Sequence, residues 1–311
     1  MTELEHELMK SLEELNLKYI DLQNSKEMRV GRNVLSIKNA IKKARLSDIS
    51  LILKKRRGQK KIDAKYPGKK PGDNLKIEDR EKNICHIRSD ARVVVYTCIV
   101  GGYDKLSDPI FANDGYDFFV FSDKKVESDV WKNREIPQNV KELKDKTLIN
   151  RYLKMHPFEV FPEYDYAIYI DGNVCVISDI SPLICAADKG KTGFAMHQHV
   201  LRDCIYEEAE ACILYGKGNP KKLGEQISGY KRDGFPERYG MLEATVIIFN
   251  IHNKECQTLM AGWWEEFIKS GSKRDQIALP YILWKKGYKI SDVGYLGSNV
   301  YKNPKFQVLS H

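Results

Sequence analysis

Apolar residues recur along this chain in two rhythms, one in its first quarter and another over the remainder. Leu8, Leu12, Leu15, Tyr19 and Leu22 are spaced four, three, four and three apart, with Glu and Lys between them. That is the seam of a short amphipathic or coiled-coil helix. Val34, Ile37, Ile41 and Ala44 continue a helical period among Arg32, Lys38, Lys42, Lys43 and Arg45, and Leu51-Ile-Leu53 runs into Lys54-Lys-Arg-Arg57. Lys54 to Asn83, with Gly58, Pro67, Gly68, Pro71 and Gly72 among many charges, reads as a linker.

From Arg92 onward the period falls to two or less, in short β-branched and aromatic runs that stop at turn residues. Arg92 to Val100 is the strongest strand and ends in Gly101-Gly-Tyr103-Asp104; Tyr116 to Asp123 is the second and ends in Ser-Asp. Ala167 to Ile170 is a buried strand that stops at Asp171-Gly-Asn173, and Ile177 to Pro182 reads as a short strand closing into a helix. Thr192 to His199 and Glu243 to Asn250 are further strands. Helices are expected over Leu148 to Lys154, from Arg202 through Glu207 and Glu208, from Trp263 to near Ser270, and over Ile277 to Trp284. Tyr230 to Gly240 has loop composition. Alternating strands and helices predict an α/β class, with residues 1–90 as a basic helical extension and linker and 91–311 as the folded domain.

Composition narrows the classes. Hydrophobic content of 42%, four Trp and seventeen Tyr supply a core, which excludes a disordered chain. Seven scattered Cys without a CxxC pair read as reduced thiols, and no run of about 18 apolar residues marks a membrane span. A charged N-terminus is unlike a secretory signal, so a cytoplasmic setting is expected.

Charge is uneven. Residues 1–90 hold 22 basic and 14 acidic side chains, the remainder 29 of each, and residues 26–70 alone carry 16 basic against 3 acidic. A basic amphipathic helix over residues 26–57 suits an anionic membrane surface, while the seam in residues 1–50 suits packing or a homo-oligomer. Nucleic acid is the weaker alternative, because no interleaved aromatic series or binding module accompanies the charge.

The chemistry collects at strand ends, where open α/β sheets bind ligands. Asp171 and Asn173 flank a glycine and offer oxygen ligands to one hard cation; the same tripeptide is also ordinary turn chemistry. Arg151 and Lys154 share a helix face, either to point together at a phosphate or at the acid of the turn, or as solvated cations of a helix surface. His197 and His199 fall on one side of a strand, as metal or phosphate contacts or as structural groups.

In this order, strand-GGYD, strand-FSD, NRxxK, YIDGN, HxHxxRDCIYEEA, WWEEF and RDQ resemble the GT-A-type nucleotide-sugar glycosyltransferases. The closest resemblance is to a group that holds plant mucilage- and pollen-related glycosyltransferase-like proteins and bacterial surface-polysaccharide proteins. It covers residues 92 to 295 and implies a GT-A-like, Rossmann-like mixed sheet flanked by helices. It further implies a nucleotide-diphospho-sugar donor held through Mn²⁺ or Mg²⁺ at Asp171 and Asn173, with His199, His197 or Glu207 as a further ligand. The neutral Asn173 departs from the usual second acid, and the His-x-x-Gly-x-x-Lys motif of glycogenin-like relatives is missing.

By the same resemblance, Gly101, Tyr103, Asp123, Arg151, Lys154 and Asp171 bind the donor. Asp275 and Gln276, with Glu207 or Glu208, orient the acceptor or act as base. The function implied is hexosyl transfer, retaining in outcome, to a capsule- or lipopolysaccharide-type glycan or lipid-linked acceptor at a membrane face. Two alternatives stay open: a sugar-phosphate transferase or nucleotidyltransferase, and a non-catalytic scaffold of glycan assembly.

Overall fold

A computed structural model describes residues 2–42, 46–67 and 87–309. Its centre is a seven-stranded sheet of order β3-β2-β1-β4-β7-β6-β8. The strands are β1 (Val93–Ile99), β2 (Tyr116–Ser122), β3 (Lys132–Arg134), β4 (Tyr166–Ile170), β6 (Phe194–Gln198), β7 (Leu242–Asn250) and β8 (Gly294–Tyr295). The ribbon of β5 (Val174–Val176) and β9 (Phe306–Val308) lies apart from it. All pairings in the large sheet are parallel except those of β7, which runs against β4 and β6. This is the mixed, helix-flanked α/β architecture expected from the sequence.

Every residue of β1 is buried, so its apolar run feeds both faces, as central strands covered on two sides require. Val94, Tyr96 and Cys98 join one core with Tyr169, Phe249 and Trp263, while Val93 and Val95 join a second with Ile168, Ile248 and Phe306. The period of two therefore sorts neighbours to opposite cores. Helices α4 (Lys146–Met155), α5 (Ile205–Tyr215), α6 (Pro220–Arg232), α7 (Lys254–Ser270) and α8 (Asp275–Lys285) supply apolar side chains to the first core. Four corrections to the sequence reading stand out. Helix α7 starts at Lys254, nine residues before the expected Trp263, because Asn253 caps it by accepting the Cys256 N–H. The strand after the central turn is Val174–Val176, and residues 181–184 form a helical turn. Residues 220–232 are helical, which shortens the expected loop. Cys185 is disulfide-bonded, unlike the five free thiols at 98, 175, 204, 212 and 256.

The N-terminal part is three helices, α1 (Glu3–Asn24), α2 (Lys26–Lys42) and α3 (Leu46–Lys65). A capping box between Thr2 and Glu5 starts α1. Its docked face holds Met9, Asn16 and Ile20, one position away from the leucine seam, so Leu8, Leu15, Tyr19 and Leu22 stay exposed. The Asn16 amide donates to the carbonyls of Pro304 and Phe306 at 2.9 and 3.1 Å, and Glu13 accepts from Ser178 and Lys305 at 2.6 and 2.7 Å. Residues 54–65, expected as linker, are helical instead. Gly58 lets α3 approach Leu214 so closely that an added Cβ would sit 2.5 Å from it, Ile62 is buried, and Lys65 and Tyr66 reach Glu210. Residues 68–83 of the expected linker lie outside the described residues. On α2, Met28, Val30, Val34 and Leu35 are exposed among Glu27, Arg29 and Arg32.

Candidate active site

The strands β1, β4 and β7 deliver their ends to one place. At the end of β1, Gly101 and Gly102 adopt φ of 83° and 64°, a region open to glycine, and the Gly101 N–H donates to both carboxylate oxygens of Asp123 at 3.0 Å. Tyr103 follows, 73% exposed. The turn after β4 comes close to this loop. A Cβ on Gly172 would lie 2.7 Å from Ile99 and 3.1 Å from Asp104, so only glycine lets the two loops meet.

Asp171 emerges there with its side chain about one-third exposed, at 32%. Its N–H donates to the Thr245 carbonyl of β7 at 2.9 Å, and its Oδ1 accepts from the Tyr169 hydroxyl at 3.0 Å and from Lys154 at 3.4 Å. Lys154 is almost wholly buried, lies 4.8 Å over the Tyr169 ring, and also faces Asp275 at 3.5 Å. Arg151, one turn earlier on α4, pairs with Asp275 at 2.8 Å. The two cations predicted to share a face do so. Their common partner is Asp275, which opens α8. Burial alone would raise the Asp275 pKa; Arg151, Lys154 and Arg274 outweigh it and hold the carboxyl well below the usual carboxylate range.

A second group of charges lies alongside. Glu208 pairs with Arg202 at 2.8 Å and Arg274 at 3.4 Å, and His199 Nε2 stands 3.8 Å from it. Glu243, at the start of β7, accepts from Gln276 Nε2 at 2.6 Å and from the Thr245 hydroxyl at 3.0 Å, with His199 Nε2 at 4.0 Å. Burial, then the charges of Asp171 and Glu208, push Glu243 up to about 7. Tyr301, on the turn Val300–Lys302, is held above the usual phenol range by burial and by the charges of Glu243, Asp171 and Glu208.

Of the predicted residues, the structure brings together Asp171, Arg151, Lys154, Asp275, Gln276, His199 and Glu208. Glu207 faces away, toward Arg202 at 3.5 Å, with Asp203, Arg238 and Asp63 nearby, and burial raises it to about 6. His197 leaves its predicted alignment with His199 because the ladder shifts between Met196 and His197. It is fully buried against Asn303 at 2.9 Å, and burial lowers it to about 3. Sequence reading missed Glu243, Arg202, Arg274, Tyr169 and Tyr301. Glu243 carried a signal, an acid inside a buried strand, since such residues are rarely buried without a partner.

Among the described residues, no three His, Cys, Asp or Glu side chains cluster tightly enough to hold a metal ion by themselves. His199 Nδ1 accepts the Arg202 N–H at 3.0 Å, so a neutral ring carries its proton on Nε2 and offers no lone pair there. The Asn173 amide donates to the Leu309 carbonyl at 2.8 Å, leaving its oxygen. The donor set thus fits a hard cation such as Mg²⁺, which keeps waters and takes one or two carboxylates plus substrate phosphate. It does not form an all-protein cage.

The stability of Glu243 gives a direct check. Its folded pKa lies above the ordinary 4.5, so the folded state retains a proton that the unfolded chain releases between pH 4.5 and about 7. Stability therefore falls across that window, by up to about 3 kcal/mol. Glu243→Gln keeps an oxygen for Gln276 and Thr245 and removes the titration. It should raise the denaturation midpoint at pH 8 and leave it unchanged near pH 4. An equal shift at both pH values would show that charge burial at Glu243 is not the cause.

Charged and polar groups thus gather at one edge of a mixed α/β sheet, beside a glycine-paired loop. The chain belongs to the TOD1/MUCI70 family, glycosyltransferase-like domain, whose family model matches residues 59–303. It is 23% identical over 235 residues to the probable hexosyltransferase MUCI70 of Arabidopsis thaliana, covering 68% of this chain and 40% of that protein. Among solved structures it is similar to the apo bifunctional glycosyltransferase WbbM, at 16% identity and TM-score 0.38, over 68% of this chain and 40% of that one. Mouse xyloside xylosyltransferase 1 in its apo form is also similar, at 9% identity and TM-score 0.38, over 63% and 82%. The chain thus spans about two fifths of the length of MUCI70 and of WbbM.

Proposed function

We propose that this chain transfers a hexose from a nucleotide-diphospho-sugar to a glycan acceptor, with a divalent cation arriving alongside the donor. The observation that carries the reading is the charge pairing of the site. Arg151, Lys154, Arg202 and Arg274 each face a carboxylate within 3.5 Å, so these cations are matched before any diphosphate arrives. Lys154 is shared between Asp171 and Asp275, so a bare diphosphate would still meet Asp171 with its charge only partly offset. Asp171 would hold a divalent cation, which would offset that repulsion and supply Lewis-acid stabilisation of the leaving group.

Each residue group then has a task. The Gly101-Gly102 loop and Asp123 take the nucleotide end. Asp171, steadied by Tyr169 and Lys154, meets the cation. Asp275 is neutralised by Arg151 and Lys154 and fixes both, so its role is positioning rather than proton uptake. Gln276 and Glu243 are hydrogen-bonded to each other beside His199.

The acceptor is a surface or lipid-linked glycan presented at a membrane. Support comes from α2, which exposes Met28, Val30, Val34 and Leu35 together with Arg29 and Arg32, side chains that suit a lipid headgroup layer.

Two measurements test these statements. Incubation with UDP-, GDP- and ADP-hexoses should release nucleoside diphosphate slowly, with Mg²⁺ or Mn²⁺ required. Release of nucleoside monophosphate or pyrophosphate would instead place the chain among sugar-phosphate transferases or nucleotidyltransferases, and no turnover with unchanged melting temperature would support a scaffold. The chain should also float with vesicles containing anionic lipid and lose this with Val34→Glu; equal flotation of the variant would remove α2 from membrane contact.

A further inference from the structure

A cavity of about 260 Å³ opens beside the segment that carries Tyr301. One wall is apolar, formed by Pro182, Leu183 and Ala186 from the helical turns before β6. The opposite wall is the chain from residue 291 to 305, and among the described residues that line the cavity none is acidic.

Three polar features face it. Asn299 is only 6% exposed; its Oδ1 accepts the Tyr301 N–H at 3.0 Å, while its amide nitrogen has no hydrogen bond to the described residues. Lys302 lines the cavity as well. The third feature is the free edge of the sheet. Tyr295 pairs with Met196, and the ladder bond is made by the Leu296 N–H to the Met196 carbonyl at 3.1 Å. In a parallel ladder the residue opposite such a partner turns its own N–H and C=O outward. Since β8 ends the sheet, the Tyr295 backbone groups are left for a ligand.

The turn Val300–Lys302 is a 3₁₀ helix, whose successive side chains diverge by about 120°. The Gln198 N–H donates to the carbonyl of Gly297, a cavity-lining residue, at 2.9 Å, so the cavity wall adjoins the strand end that leads into His199, and Asn299 and Lys302 line the cavity on the same segment. The two spaces share this wall. Drug-sized ligands occupy pockets of about 300–1,000 Å³, so this one suits a smaller unit. An apolar wall facing amide, ammonium and backbone groups matches a pyranose, which has a C–H face and a rim of hydroxyls.

We propose that this cavity is an acceptor subsite, holding a neutral or acidic pyranose next to the sugar whose hydroxyl receives the transferred hexose. The assignment rests on the transferase reading. It gives Asn299 two jobs, capping the Tyr301 turn with its oxygen and donating to the acceptor sugar with its nitrogen.

The test uses saturation-transfer NMR on the full chain with methyl glycosides of glucose, galactose, mannose and glucuronic acid. At least one should bind. Leu183→Trp fills the cavity from the wall remote from Tyr301, and Asn299→Asp keeps the cap while replacing the donor; each should weaken binding about tenfold or more. Binding of nucleoside diphosphate should stay at the wild-type level in both. The subsite is overturned if no glycoside binds, or if Leu183→Trp binds as well as wild type at unchanged melting temperature. Glycoside binding without turnover of any nucleotide-hexose would instead overturn the transferase reading, and with it the acceptor role.

Discussion

Asp171→Ala should lower donor turnover and sugar transfer by about a thousandfold or more, the order expected when several kcal/mol of charge stabilisation at a leaving group is lost. Asp171 is the acid at the end of β4 that is both partly exposed and steadied from within. Tyr169 and Lys154 hold its Oδ1, and the side chain keeps about one-third of its surface exposed, at 32%. Without it a cation has no carboxylate at that position, and Asn173 brings only a neutral oxygen. The fold should survive, because Lys154 keeps Asp275 as a partner. A stability change of 1 kcal/mol moves the midpoint by about 2–4 °C in a chain of this size, so a shift of a few degrees is expected. The metal-dependent rise in melting temperature with nucleoside diphosphate should vanish in the variant. Transfer at a near wild-type rate by a folded Asp171→Ala protein would remove the site from this turn.

Asp275→Asn should have the largest effect on stability, a loss of about 3–5 kcal/mol, because it strips the counter-charge from two buried cations at once. Arg151 and Lys154 both converge on the Asp275 carboxylate, and an amide oxygen replaces only part of that attraction. The pH dependence follows from the sign of the shift. A depressed folded pKa contributes stability that is present above the ordinary carboxylate range and lost as pH falls toward the folded value. Urea midpoints of wild type and Asp275→Asn should therefore lie far apart at pH 7 and converge in acid. Combining Asp275→Asn with Arg151→Met should cost less than the two changes summed, since the pair removes a charge and its partner together. Additive losses would mean that Asp275 and Arg151 act independently.

The distance between sequence and structure differs from element to element. Strands β1, β2, β4 and β7 were legible because an apolar run of strand length, ended by Gly, Asp or Asn, has few other uses. Residues 54–65 were not legible as helix. Their charge and Gly58 resemble a linker, and what makes them helical is contact with Leu214 and Glu210, about 150 residues further along. The seam of α1 was read correctly as helical and offset by one position from the face that docks. Periodicity gives a helix and its stripe, whereas the docked face depends on where Pro304 and Phe306 present free carbonyls.

By itself the sequence determined the α/β class, the main strands, and the turn Asp171-Gly172-Asn173. These depend on local chemistry: side-chain period, turn residues and charge spacing along one helix. Only the tertiary structure decided what each acid does. Asp275 and Glu243 are both buried carboxylates. Two cations from α4 hold the first ionised, while burial and the neighbouring acids push the second toward protonation. That difference arises from groups brought together across β4, β7, α4 and α8, and electrostatic energy inside a protein depends on those distances and on exclusion of water, which no spacing along the chain records.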